Sequence, residues 1–225
     1  MKHIGMLVAM EMDAVRSRYG QADRVEQRHG FTIHHYDRED RCLHVMHAGI
    51  GELAAAAATQ LLIDRYNVEL VVNFGVVGGL TEEMAQTETC VVAKLCHYDF
   101  DLSGIDPVVP GQYPGYEDVF LPTTESLVER ALAIEPRLKK VVCASADKFV
   151  SGREAKSALH ERYGADICEM EAAGVVLTCR RSGVPCLLIK TVSDGISGGG
   201  EEFYQAVQRT SAQCLEVADR IIREL

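Results

Sequence analysis

The feature that most constrains the fold of this chain is a recurrence of short, mainly apolar runs separated by helix-forming stretches. Residues 4–10, 70–74, 140–145 and 184–191 are such runs, and their lack of polar alternation is what a strand covered on both faces requires. Between and after them, residues 53–66, 124–133, 151–163, 172–179 and 201–225 read as helices; the last is long and amphipathic, with Phe203, Val207, Cys214, Val217 and Ile221 among its apolar positions. Residues 24–36 and 41–47 alternate polar with apolar around a turn at Arg38-Glu39-Asp40, which predicts an antiparallel meander. Strands alternating with helices imply an α/β protein, a three-layer α/β/α sandwich with a mixed central sheet. With 225 residues, 47% of them hydrophobic, the chain can bury one substantial core, and no linker or repeat divides it: a single domain over 1–225 is expected.

Charge narrows the partners. The formal net charge of −10 disfavours nucleic acid or an anionic membrane, because both select a basic face. A small neutral or cationic ligand suits the chain better. Its eight cysteines lie in apolar segments without a C-x-x-C pair, which predicts buried thiols, no disulfide framework and no zinc site. The apolar run after Met1-Lys2-His3 is too short to span a bilayer and lacks a small-residue cleavage site, so a cytoplasmic protein is expected.

The chemistry concentrates at 167–176, Ile-Cys-Glu-Met-Glu-Ala-Ala-Gly-Val-Val, where Glu169 and Glu171 stand between a short extended segment and a small-residue helix. A carboxylate there can cap the free N–H groups of the helix or face a ligand. Similar pairs of readings hold elsewhere. Asp13 follows the first buried run, where open α/β sheets bind ligands, and equally suits the first turn of a helix over 14–19. The glycines of Gly75-Val76-Val77-Gly78-Gly79 suit a tight turn or close backbone approach to a ligand. Phe149, just past a strand end, is either core or a surface on which a planar base stacks. Arg153, Lys156 and Arg162 read as a solvated helix face. His97 and its acidic neighbours match no standard metal-ligand spacing, and neither metal nor cofactor is expected.

The run Glu-Met-Glu-Ala-Ala resembles the signature of the purine nucleoside phosphorylase and nucleosidase superfamily. Segments 9–13, 49–52, 73–80, 149–171 and Ser193-Asp194 are together similar, in order, to the 5′-methylthioadenosine/S-adenosylhomocysteine nucleosidases, as is the loop of residues 98–101 and 111–115. This resemblance implies a nucleoside phosphorylase-like fold and hydrolysis of the N-glycosidic bond of a purine nucleoside. It makes Asp194 the general acid toward purine N7 and Asp13 the residue that activates water. Glu171 would hold the ribose hydroxyls over Met170, Phe149 would stack on the base, and the Val150 backbone would read its edge. Ile50, Val76, Gly78, Glu169 and Ser193 complete the implied substrate-binding set. The resemblance also implies a homodimer whose partner covers the 5′ pocket, with the helix after Gly51 and the 97–115 loop as contacts.

The chain departs from that family at three places. Asp13 is one methylene shorter than the family's glutamate, so the water shifts or Glu11 takes part. Val76 replaces a serine, and the glycine-rich segment between Asp194 and Phe203 lacks an aromatic that closes the 5′ pocket. Two alternatives stay open on the sequence: a phosphate-dependent phosphorylase, which needs cations at the site, and a weakened homologue that only binds nucleosides.

Overall fold

A computed structural model describes residues 1–225. Ten strands and six helices run in the order β1 (Lys2–Val8), α1 (Met12–Tyr19), β2 (Arg24–Arg28), β3 (Phe31–Asp37), β4 (Arg41–His47), α2 (Glu52–Tyr66), β5 (Leu70–Gly79) and β6 (Thr89–His97). The second half continues through β7 (Phe120–Pro122), α3 (Glu125–Ile134), β8 (Lys139–Ser145), α4 (Arg153–Tyr163), β9 (Ile167–Glu169), α5 (Ala172–Ser182), β10 (Cys186–Asp194) and α6 (Gly200–Glu224). The expected α/β fold with a mixed sheet is present. Along β1 and β5 the side chains alternate between layers. Leu7 and Val71 join Ala55, Leu62 and Val176 of α2 and α5 on one face, while Met6 and Val72 join Val15, Val128 and Ile221 of α1, α3 and α6 on the other.

The sheet is also partly closed. Strand β5 pairs with β1, β9 and β10, and the path β5–β10–β6–β8–β9 returns to β5, while β1, β4, β3 and β2 extend it outward. Strand β10 is bonded to β6 only over Ile189–Thr191 but to β5 as far as Asp194. Its ladder to β5 carries a bulge: Val192 faces Val77 and Asp194 faces Gly78, so Ser193 is the extra residue. This shift puts Asp194 on the Gly78 side of the strand.

Residues 75–79 are strand rather than turn. The glycines there answer to close approach: a Cβ on Gly75 would lie 2.8 Å from Glu11 Oε1, and one on Gly78 would lie 3.0 Å from Cys168 Sγ. Helix α1 begins two residues earlier than the sequence pattern predicts, at Met12, and this decides which acidic side chain faces inward. All eight cysteines are free and buried. No helix is long and apolar enough to cross a membrane.

Candidate active site

Strands β1, β5 and β10 run parallel, and their carboxyl ends open into a cleft of about 390 Å³ with mainly apolar walls. Four acidic residues from three separate segments, Glu11, Glu169, Glu171 and Asp194, line it, and no Lys, Arg or His does. Of the residues singled out from sequence, Ile50, Val76, Gly78, Phe149, Glu169, Met170, Glu171, Ser193 and Asp194 line this cleft.

Asp13 does not. Its side chain is 83% exposed and pairs with Arg16 one helical turn on. Because α1 starts at Met12, Met12, Ala14 and Val15 take the buried positions and Asp13 points to solvent. Glu11, immediately before the helix, is buried instead. Its Oε1 accepts from the Val76 N–H (3.2 Å) and its Oε2 from the Met10 N–H (2.9 Å). At Val76, therefore, the backbone N–H holds a cleft carboxylate. Val150 also lies outside the cleft lining; its side chain packs among Leu80, Ala144 and Cys168.

Glu169 and Glu171 have separate tasks. Glu169 is the cap: its oxygens accept from the N–H groups of Ala172 (3.0 and 3.1 Å) and Glu171 (3.1 Å), and Oε2 also takes the Lys190 ammonium at 3.1 Å. Both oxygens are thus engaged although the residue borders the cleft. Glu171 turns away from the helix and accepts from the Gly51 N–H at 3.0 Å. Burial, then the charge of Glu169, pushes the Glu171 carboxyl up to about 7. Burial works against the Lys190 ammonium, but Glu169 and Glu171 outweigh it and hold Lys190 in its charged form.

Behind this pair lies a fourth buried glutamate, Glu52, from the first turn of α2. It accepts from the Gly174 and Ala173 N–H groups and meets the Ser145 hydroxyl, which also lies 2.5 Å from Glu169 Oε1. One hydroxyl hydrogen cannot serve two carboxylates, so a carboxylic acid must supply the other. Glu52 fits that role: burial, then the Glu169 charge, pushes it up to about 8.

Asp194 is bound on both oxygens. Ser193 Oγ lies 2.8 Å from Oδ1 and 3.1 Å from the Val77 carbonyl, and the Lys156 ammonium lies 2.5 Å from Oδ2. Lys156 is wholly buried, contrary to the solvated face expected for Arg153, Lys156 and Arg162. A sequence signal for it exists: Lys156, Leu159 and Tyr163 stand at i, i+3 and i+7, one face of α4, and that face carries the helix's buried residues. Neither flanking arginine of α1 approaches the cleft as a free cation, since Arg16 pairs with Asp13 and Arg18 with Asp219.

The outer wall is aromatic. Phe149 meets Phe203 edge-on (ring centroids 5.7 Å apart), Phe203 meets Tyr204, and all three border the cleft with Gly200. The start of α6 therefore supplies aromatic cover beyond the glycine-rich segment. An apolar slot with an aromatic side wall and acidic groups at its base suits a planar, weakly basic ring attached to a hydroxylated moiety.

The Phosphorylase superfamily model matches residues 3–225, every residue of this cleft included. The chain belongs to that superfamily. Within it, the chain is similar to nucleosidases. An aminodeoxyfutalosine nucleosidase of Helicobacter pylori is 31% identical over 173 residues, covering 75% of this chain and 74% of the relative. A 5′-methylthioadenosine/S-adenosylhomocysteine nucleosidase of Haemophilus ducreyi is 30% identical over 171 residues, covering 73% of this chain and 72% of the relative. The crystal structure of the Helicobacter pylori 5′-methylthioadenosine/S-adenosylhomocysteine nucleosidase with butyl-thio-DADMe-Immucillin-A matches with a TM-score of 0.93 at 27% identity, covering 100% of this chain and 99% of that one.

Proposed function

We propose that the protein hydrolyses the N-glycosidic bond of a 5′-substituted adenine nucleoside, of the class that includes methylthioadenosine, S-adenosylhomocysteine and aminodeoxyfutalosine. The observation that carries this reading is the convergence of Glu11, Glu171 and Asp194 on one apolar cleft. In this reading the base stacks against Phe149. Asp194 gives a proton to N7, which makes the purine a good leaving group. The sugar passes through an oxocarbenium-like state that the adjacent carboxylates stabilise, as in glycoside hydrolysis. Glu171 binds the ribose hydroxyls above Met170. Glu11 takes the role that the sequence resemblance gave to Asp13, orienting the attacking water and accepting its proton.

Phosphorolysis needs cations to hold phosphate, and the cleft lining contains none. Hydrolysis is accordingly preferred. A second copy of the chain is the proposed cover for the open side of the cleft. Ile50, in the cleft lining, is 57% exposed; Leu53, in the first turn of α2, is 83% exposed, and Ile105, in the loop expected at the contact, is 81% exposed. The eight buried free thiols suit a reducing cytoplasm, and the activity suits nucleoside catabolism and methionine salvage.

Base release from methylthioadenosine, S-adenosylhomocysteine, aminodeoxyfutalosine, adenosine and inosine, each with and without phosphate, tests the reading. Free base without phosphate, lost in Asp194→Asn, is the expected result. Release only with phosphate overturns hydrolysis; binding without release makes the protein a nucleoside-binding homologue.

A further inference from the structure

The acid step requires a proton on Asp194, yet the group seated against that carboxyl is a cation. Lys156 reaches from the buried face of α4, and each hydrogen of its ammonium has an acceptor: Asp194 Oδ2 at 2.5 Å, the Gly195 carbonyl at 2.7 Å and the Asp194 carbonyl at 3.4 Å. Three donors on three acceptors is the arrangement of a charged lysine. The ion pair is sealed. Lys156 and Asp194 are 0% and 1% exposed, and a Cβ on Gly78 would meet Lys156 Nζ at 3.3 Å and Asp194 Oδ2 at 3.4 Å, so β5 leaves room for the pair only by carrying glycine there. The titratable group facing them from β9 is Cys168, whose thiol burial pushes up to about 12 and keeps neutral; from β10, the Ser193 hydroxyl lies 2.8 Å from the other carboxyl oxygen and 3.1 Å from the Val77 carbonyl. The nearest other cation on α4, Arg153, is turned outward to Glu82 and Ser197.

We propose that Lys156 is the positioning residue of the acid step and the source of its proton, which reaches the purine through Asp194. The inference rests on the nucleosidase reading above. When substrate fills the cleft and displaces water, a neutral amine beside a neutral acid is favoured over two buried charges. An Nζ–H bond breaks as Oδ2–H forms; the Oδ2–H bond then breaks as N7–H forms, and the C1′–N9 electron pair moves to the purine. Lys156 is left as an amine. The attacking water forms the C1′–O bond and gives a proton to Glu11; after product release Glu11 loses that proton to water, and Lys156 regains its own through Asp194, which borders the cleft.

This assignment predicts behaviour that an acid working without Lys156 does not give. While the Lys156 ammonium is held against Oδ2, the pair carries a proton that it can pass to the purine. The wild-type kcat is therefore expected to hold to about pH 8 or above, and a kcat already lost between about pH 5 and 7 overturns the proposal. Lys156→Met should lower kcat at neutral pH about 10²- to 10³-fold with little change in KM, and recover activity toward acid pH, where solvent protonates Asp194 directly. Lys156→Arg keeps the charge but cannot surrender a proton, so it should remain as impaired as Lys156→Met at neutral pH. A Lys156→Met profile parallel to wild type, or wild-type kcat in Lys156→Arg, would refute it. Should either variant misfold, a wild-type kcat already lost between about pH 5 and 7 still overturns the proposal. Absence of base release by the wild type from every nucleoside would instead be a failure of the nucleosidase reading itself.

Discussion

Replacing Glu52 by Gln should make the protein more stable than wild type, by a margin that grows with pH. Glu52 is a buried carboxylic acid held by the Gly174 N–H and Ser145, and glutamine reproduces that form: its carbonyl accepts where the acid's carbonyl accepts, and its NH₂ donates where the acid O–H donates. The native carboxyl is pushed up to about 8, above the ordinary glutamate value that applies in the unfolded chain. Such a group gives its full stabilisation below the unfolded pKa and loses it as pH rises through the native one. Over that window the unfolded state releases a proton that the native state keeps, so stability falls by about 1.4 kcal/mol per pH unit. From about pH 5 to pH 8 the loss has a ceiling of about 4 kcal/mol, and relaxation of Glu169 and Glu171 brings it to roughly 2–4 kcal/mol. Glu52→Gln has no such proton to lose. Urea unfolding of both proteins at several pH values, with midpoint and slope compared, measures the gap. A gap that stays constant with pH would refute the protonated state of Glu52.

Two further outcomes follow from the geometry. Glu11→Gln should lower kcat about 10²-fold or more, whereas Asp13→Asn should leave kcat and KM unchanged; equal losses in the two variants would contradict the inward placement of Glu11. On the outer part of the sheet, His44 links His3 Nδ1 (2.9 Å) and His35 Nδ1 (2.8 Å), and burial, then its two histidine neighbours, pushes it down to about 4. A histidine held neutral in the native state costs stability once the unfolded chain protonates, so stability should fall as pH drops from about 6.5 toward 4, by roughly 1–2 kcal/mol after allowance for solvent screening. Thermal unfolding across that range checks this, and His44→Asn should flatten the slope.

The strands and helices were legible because their apolar runs and helical periods are long and agree with one another. The Glu169–Glu171 segment and the strand leading to Asp194 were legible for the same reason, since acidic residues at the ends of apolar runs stand out. What the pattern could not decide was direction. A helix start at Met12 rather than Ala14 turns Asp13 outward and leaves Glu11 inside, and two residues lie within the uncertainty of any helix boundary read from sequence. Lys156 stood between other charged residues and read as surface; its burial depends on Asp194, which lies 38 residues away along the chain. The glycines of β5 suggested a turn because their reason for being there, the Glu11, Cys168 and Lys156 atoms packed against them, comes from distant segments. Closure of the sheet likewise depends on pairing between remote strands.

The bulge at Ser193 divides one strand into two mechanical regimes. Over Ile189–Thr191, β10 is clamped by ladders on both edges, where an extra residue would break hydrogen bonds to β6 as well as β5. Beyond Thr191 the β6 ladder has ended, so the insertion distorts only the β5 pairing. The acid is thus carried on a short cantilever fixed to a rigid beam. Its aim depends on that single looped-out residue: in a regular ladder Ser193 would stand opposite Gly78 and Asp194 opposite Gly79, with the carboxylate on the other face of the sheet.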